Sequence, residues 1–332
     1  MTTPKRIVIT GAAGQDGLIL GLKLANAGHQ VIGVVRNEEQ KKFLELYNPG
    51  IQIQILDSST QKSVIEFLER TQPEQIFHLS AKSSVANSWS DSENTLQTNI
   101  FYTLNWLNAL NQLKMHSTRF YHASSSEMFG LPKTYPQTEE TLLHPRSPYG
   151  VSKVAAHHLV VNYRESFGQF ASTGILFNHE SPLRDVKFVT RKITNGVAKI
   201  ARGKADSLTL GNLEISRDWG WAPDYVDGMI SILEHNSPDD FILATGESHT
   251  LKEFVATAFH SVGIEDWAKY LTIDSALVRP ADVISVVGDS SKAGRILNWS
   301  PVVTFKSMVK RMVDFDLDLI DTSEMNRNWK PE

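Results

Sequence analysis

Two short stretches carry residues that could move protons. Residues 122–130 read HASSSEMFG, three serines and Glu127 directly after the strand-forming RFY. Residues 147–153 read SPYGVSK and place Tyr149 and Lys153 four positions apart. Ser147 followed by Pro148 is a good helix start, so the i, i+4 spacing stacks Tyr149 and Lys153 on one face. An ammonium there can lower a phenol from its ordinary value near ~10 and also hold a cofactor ribose. A phenol lowered in this way is a base for a sugar hydroxyl whose carbon gives up hydride. The same spacing occurs on plain helices, where Tyr packs and Lys is solvated. Here it stands 22 residues after Glu127 and downstream of a glycine-rich turn, which favours the catalytic reading.

Such side chains need a scaffold, and the rest of the chain supplies one. Apolar, β-branched runs at Arg6–Thr10, Gln30–Val35, Ile51–Leu56, Gln75–Leu79, Arg119–His122 and Ser172–Phe177 alternate with segments of helical period. Strands alternating with helices predict a parallel sheet covered on both faces, a doubly wound α/β fold. Gly11, Gly14 and Gly17 in TGAAGQDG follow the first strand and precede a helix predicted to begin near Leu18. Glycine there permits a tight turn, close approach to a pyrophosphate and close helix–strand packing. The helix N-terminus then offers unpaired N–H groups to phosphate. The second strand ends in GVVR, where an NAD site would usually have Asp or Glu. Arg36 suggests the 2′-phosphate of NADP, against the alternative of a solvated arginine at a strand end. Asp57 and Ser58 end the third strand in reach of an adenine, although Asp57 could equally cap the helix from Thr60.

Composition narrows the classes. The 332 residues are 41% apolar and 21% charged, ordinary for a globular chain of one large domain or two smaller ones. A net charge of -4 without a Lys/Arg cluster gives no reason to expect nucleic acid. Cysteine is absent, which excludes disulfides, cysteine-ligated metals and thiol nucleophiles together. Apolar runs such as VIGVV are far shorter than the ~18 residues of a membrane span, so no membrane association is expected. RIVIT follows the first residues without a signal-peptide core, which predicts a cytoplasmic protein. His179-Glu180 invites a metal reading, but no second ligand stands at a suitable spacing and no metal is expected. His157 and His158 lie mid-helix, one expected packed and one solvated.

These motifs resemble the extended, sugar-nucleotide-modifying branch of the short-chain dehydrogenase/reductase superfamily. Within it, LFNHESPLR (176–184), FVTRKI (188–193), LGNLEISRDWGWAPDYVDGM (210–229), RPADV (279–283) and LNWSP (297–301) resemble the GDP-mannose 4,6-dehydratase family. By that resemblance, Ser125, Glu127, Tyr149 and Lys153 form the catalytic group. Gly11, Ala12, Ala13, Gly14, Gln15 and Asp16 would contact the dinucleotide, with Asp57 and Ser58. Leu79, Ser80, Ala81, Lys82 and Ser83 would join them, with His179 and Arg184 nearby. Asn178, Val189, Lys192, Asn212, Arg217 and Arg279 would hold the sugar nucleotide. Arg and Lys suit a diphosphate; a solvated charge stays a fair reading of Lys192 alone.

The chain departs from the family at three places. Ser125 stands where Thr is common and keeps the hydroxyl, and Asp282 replaces the usual Glu of RPxE. The segment RNEEQKKF after the second strand is short and carries one Arg, whereas in relatives a longer loop there helps join dimers into tetramers. A homodimer is therefore expected, with a tetramer as the alternative. Residues 79–89 also resemble the GDP-4-keto-6-deoxymannose reductases, so a ketoreductase is the second enzymatic reading; a related GDP-hexose or heptose is a further substrate alternative. An epimerase has no need of Glu127, and a cofactor-sensing scaffold has no need of the Glu, Tyr and Lys together. The dinucleotide domain is predicted over 1–176, with 224–246 returning to it, and a substrate lobe over 177–332.

Overall fold

The computed structural model describes residues 3–277 and 286–322. In chain order the first half runs β1 (Arg6–Thr10), α1 (Gln15–Asn26), β2 (Gln30–Val35), α2 (Glu38–Tyr47), β3 (Gln52–Ile55), α3 (Gln61–Thr71) and β4 (Gln75–His78). It continues with the short helices α4 (Asn87–Ser90) and α5 (Ser92–Leu96), then α6 (Tyr102–Gln112), β5 (Arg119–Ser125), α7 (Pro148–Phe167) and β6 (Ala171–Leu176). The second half has β7 (Asn178–Glu180), α8 (Val189–Ala201), β8 (Leu208–Leu210), β9 (Ser216–Arg217), β10 (Trp219–Trp221) and α9 (Ala222–Glu234). After these come β11 (Asp240–Leu243), β12 (His249–Thr250), α10 (Leu251–His260), β13 (Leu271–Ile273), α11 (Ser291–Leu297) and α12 (Phe305–Thr322).

Seven strands form one parallel sheet in the order β11-β6-β5-β4-β1-β2-β3. This is the doubly wound α/β fold that the alternating pattern implies. Strand order reverses between β1 and β4, and the crevice beyond the carboxyl ends of these two strands is where such sheets receive ligands. The strands are apolar on both faces because helices cover both. Ile7, Ile9, Phe77 and Tyr121 pack under α1 and α9, while Val8, Ile76 and Phe120 pack against α3 and α6. Helix α9 lies on α1, β5 and β6, and β11 extends the sheet beyond β6.

A separate apolar cluster joins α8, α10 and α12, with Ile193, Phe254, Phe259, Met308 and Met312 at its centre. Three two-stranded pairings, β10-β7, β12-β9 and β13-β8, lie outside the main sheet. Among the described residues no helix is long and apolar enough to cross a membrane.

Beyond shifts of one residue at strand ends, two local boundaries differ from expectation. Helix α1 begins at Gln15 rather than near Leu18, because its first turn is part of the glycine-rich segment itself. Strand β5 runs on to Ser125, three residues past His122, since its polar end stays paired with β6 through Ser125–Leu176.

Candidate active site

The glycine turn is built by close approach. Gly11 has φ +69°, and a Cβ on it would stand 3.0 Å from the Leu79 carbonyl carbon and the Ser80 nitrogen. A Cβ on Gly17 would meet the Gly11 carbonyl oxygen at 2.5 Å and Ala12 Cα at 2.6 Å. Bare glycines therefore let the start of α1 sit directly on the end of β1, and let both touch the segment after β4. Thr10 ties the same elements together, its hydroxyl accepting from Ser80 N at 3.2 Å and bonding His78 Nδ1 at 3.0 Å. Gly14 caps α1 without any side-chain bond. This free helix start, with a turn that no Cβ could enter, fits a dinucleotide pyrophosphate. The fold thus brings Gly11–Asp16 and Leu79–Ser83 together.

A buried network then joins this turn to β7. His179 Nε2 meets Asp16 Oδ2 at 2.9 Å, and its Nδ1 meets the Phe177 carbonyl at 2.7 Å. Gln15 donates to the His179 carbonyl at 3.1 Å and accepts from the Ser181 hydroxyl at 2.9 Å. The imidazole stacks on Tyr225, with ring centroids 4.8 Å apart. Burial would raise the Asp16 carboxyl and lower the His179 ring, but each group's bond to the other outweighs it. Asp16 is held below the usual carboxylate range and His179 above the usual imidazole range.

Ser125, at the end of β5, bonds the backbone N–H of Glu127 at 3.3 Å, and Glu127 sits in the single 3-10 turn Ser126–Met128. Helix α7 starts as expected, with the Ser147 hydroxyl accepting from Gly150 N at 3.0 Å and Pro148 in the first turn. A Cβ on Gly150 would stand 2.7 Å from the Glu127 carbonyl oxygen. The strand end and the helix start therefore touch, and the Ser125 hydroxyl bonds the Tyr149 phenol. Tyr149 is 8% exposed and Lys153 4%.

The lowering of the phenol expected from Lys153 is absent. Burial, assisted by the charges of Glu127 and Asp16, pushes Tyr149 up to about 12, against the opposing Ser125 bond and Arg184 charge. Burial also pushes Lys153 down to about 8. Burial disfavours both the phenolate and the ammonium, and the Lys153 charge is not among those that act on the phenol.

Other expected residues are placed as follows. Arg36 is exposed directly after β2, with its backbone N–H on Gln40. Asp57 does not cap the next helix: Thr60 does, while Asp57 Oδ1 takes the Ser59 N–H at 2.9 Å. Ser58 is buried, its carbonyl held by Asn105 at 2.9 Å. Lys82 pairs with Asp91. Asn178 heads β7, Val189 and Lys192 lie half-buried on the first turn of α8, and Asn212 is exposed. Arg217 is buried in β9, opposite His249 of β12. Arg279 and Asp282 lie outside the described residues. His157 packs against Ser124 at 3.0 Å while His158 faces solvent.

Sequence reasoning passed over Asn99 and gave Glu180 no role beyond the rejected metal reading. Asn99 lies in the π-helical turn Gln97–Phe101, accepts from Lys82 N at 2.8 Å and donates to Ser152 at 2.8 Å. It locks the segment after β4 to α7. Glu180 is 2% exposed and accepts from the Thr190 hydroxyl at 2.7 Å. The sequence around it, the polar run Asn178–Glu180, gave no local reason to single it out.

The fold that carries this glycine turn at a sheet switch point is shared with known proteins. A solved structure of RMD from Pseudomonas aeruginosa, complexed with NADPH, superposes with TM-score 0.79 at 24% identity, covering 95% of this chain and 98% of that one. The dTDP-glucose 4,6-dehydratase of Bacillus anthracis, in complex with NAD, gives TM-score 0.81 at 18% identity, covering 98% of each chain. At these identities the likeness is one of fold. Sequence relatives are nearer. GDP-mannose 4,6 dehydratase 2 of Arabidopsis thaliana is 41% identical over 99% of this chain and 93% of its own. The human GDP-mannose 4,6 dehydratase is 37% identical over 97% and 94%. The sequence profile described as GDP-mannose 4,6 dehydratase matches residues 8–312. With profile and relatives both spanning nearly the whole chain, the chain belongs to the GDP-mannose 4,6-dehydratase family.

Proposed function

We propose that the protein converts GDP-mannose to GDP-4-dehydro-6-deoxymannose and water, with no net oxidation or reduction. The observation that carries this reading is the placement of a carboxylate, Glu127, against the start of the helix that holds Tyr149 and Lys153. An alcohol dehydrogenase needs the phenol and the ammonium; elimination also needs a second base.

NADP is the proposed cofactor. Gly11–Asp16 and Leu79–Ser83 would hold its pyrophosphate and neighbouring groups, Asp57 and Ser58 its adenosine, and Arg36 its 2′-phosphate. His179 and Arg184 would stand beside it, and Lys153 at its ribose. When bound it supplies the hydride acceptor and donor, and a positive ring charge that favours the phenolate.

The chain's own groups supply the proton chemistry. Tyr149 takes the proton of the sugar O4, and Ser125, bonded to the phenol, orients that hydroxyl. With a ketone at C4, the C5 proton becomes acidic, and Glu127 removes it. The same carboxyl returns the proton to the departing C6 hydroxyl, which leaves as water. Tyr149, now carrying the O4 proton, can protonate C5 as the sugar is completed, so protons balance without solvent. The buried setting keeps water from the enone that forms between C5 and C6.

Asn178, Val189, Lys192, Asn212, Arg217 and Arg279 would hold the sugar nucleotide, the two arginines on its diphosphate side. Residues 1–176 with 224–246 would form the dinucleotide half, and the remainder the substrate half. A cytoplasmic homodimer is the proposed setting.

Incubation with GDP-mannose and no added reductant tests the reading. Mass analysis should show loss of one water and no net change in cofactor oxidation state. Turnover confined to a 4-keto sugar plus NADPH would replace this reading with a ketoreductase.

A further inference from the structure

Arg184 lies four residues after Glu180, and its guanidinium charge acts on Tyr149, Asp16 and His179 together. What holds it there is specific. Glu180 Oε2 lies 3.5 Å from Arg184 Nε and also accepts the Thr190 hydroxyl at 2.7 Å. The guanidinium carbon lies 4.1 Å from the centre of the Phe188 ring. From the other side, Arg191 Nε donates to the Arg184 carbonyl at 3.2 Å, while its guanidinium pairs with the fully buried Asp316 of α12. The strap 181–188 is thus pinned twice at Arg184, once through its side chain and once through its backbone. Arg184 Nε is buried without a hydrogen-bond partner among the described residues, so charge and the aromatic face hold the guanidinium more than directed bonds do.

A carboxylate 2% exposed costs several kcal/mol to desolvate unless it is paired. Neither the fold of β7 nor its pairing with β10 requires one, since those contacts run through the backbone. We infer that Glu180 is a positioning residue, which fixes the Arg184 guanidinium beside the Tyr149 phenol through a carboxylate that Thr190 orients. Tyr149 feels Glu127 and Asp16 as negative neighbours and Arg184 as the positive one. Losing Arg184 from its place leaves the two carboxylates unopposed. A Glu180 that served only as a counter-charge would have the opposite effect, because its removal would leave Arg184 stronger.

This inference rests on the dehydratase reading for one arm of its test and not for the other. In the first arm, C4 oxidation is followed in single turnovers across pH with GDP-mannose and NADP. Glu180→Gln should move the acid limb up by about one pH unit, a roughly tenfold loss of rate below the limb. Thr190→Val keeps both charges and frees only the carboxylate, and should move the limb the same way by less. A limb that stays or moves down in Glu180→Gln, or that ignores Thr190→Val, overturns the proposal. In the second arm the chain is used without cofactor or substrate, and the Arg184 Nε–H signal is observed by 15N NMR. It should be sharp and slow to exchange in the native chain, and broadened in both variants; an unchanged signal overturns the proposal. A native protein that does not oxidise GDP-mannose would sink the dehydratase reading while leaving the NMR arm to decide this one.

Discussion

A Cβ at position 150 would stand 2.7 Å from the carbonyl oxygen of Glu127 and 3.1 Å from Pro145 Cβ. Real Cβ atoms do not approach backbone oxygen so closely. The close approach of the Glu127 backbone to the helix start that carries Tyr149 therefore depends on a residue that has no side chain. Gly150→Ala should push the start of α7 away from the end of β5. Overpacking of this kind costs about 1–3 kcal/mol, and a misplaced Tyr149 should lower kcat by about 10²-fold. Urea unfolding and steady-state kinetics check both. Gly50→Ala, whose added Cβ would meet only Ala25 at 3.8 Å, serves as the control and should change neither.

Glu127→Gln should separate the two halves of the reaction. The amide keeps the shape and cannot take a proton, so stability should stay within about 0.5 kcal/mol. C4 oxidation by Tyr149 should persist, while formation of the 6-deoxy product falls by about 10²–10⁴-fold. Single turnovers should accumulate reduced cofactor and a 4-keto sugar that retains its C6 hydroxyl. Near-native formation of the 6-deoxy product would remove Glu127 from the mechanism.

Arg36 stands exposed directly after β2, with its backbone N–H on Gln40. Arg36→Glu should reverse its attraction for a 2′-phosphate. A charge-assisted contact is worth about 1.5–3 kcal/mol, so the preference for NADP over NAD should fall by about tenfold or more. Binding of both dinucleotides measured by calorimetry decides it, and an unchanged ratio would make Arg36 a solvated strand end.

Stability should fall on mild acidification because of three buried histidines. Burial pushes His78 down to about 3, and lowers His122 and His157 as well, with the Lys153 charge adding to each. Their folded pKa values lie below the unfolded ~6.5, so the unfolded chain binds protons first as pH drops. The stability they give is complete above about 6.5 and is lost progressively below it, at up to about 1.4 kcal/mol per pH unit for each ring. His179 is shifted the other way and adds no slope there, because it is protonated in both states below 6.5. Denaturant unfolding at pH 7 and pH 5.5 should show the fall, and His122→Gln should reduce it. An equal loss in that variant would exclude His122 as a contributor.

Much of the scaffold was legible from local pattern. The strands at Arg6–Thr10 and Gln30–Val35 were bounded to the residue, because apolar runs between turn signals need only neighbouring residues to be recognised. The Ser147–Pro148 helix start and the i, i+4 stacking of Tyr149 and Lys153 are likewise short-range. Strand β5 was cut short at His122 because its end is polar. Ser124 belongs to the strand by pairing with Ile175 of β6, 51 positions away, which no local window contains.

What only the tertiary structure decided is who meets whom, and at what charge. Adjacent strand residues face opposite ways, so His179 and Glu180, side by side in the sequence, serve different partners. His179 meets Asp16, 163 positions earlier, and Glu180 meets Thr190 and Arg184. The phenol's rise to about 12 has the same origin. Spacing placed Lys153 next to Tyr149, but burial, which sums over the whole fold, desolvated both and reversed the expected shift. Residue types and spacings are properties of the chain, whereas proton affinities depend on how much water and which charges the folded chain leaves around each group.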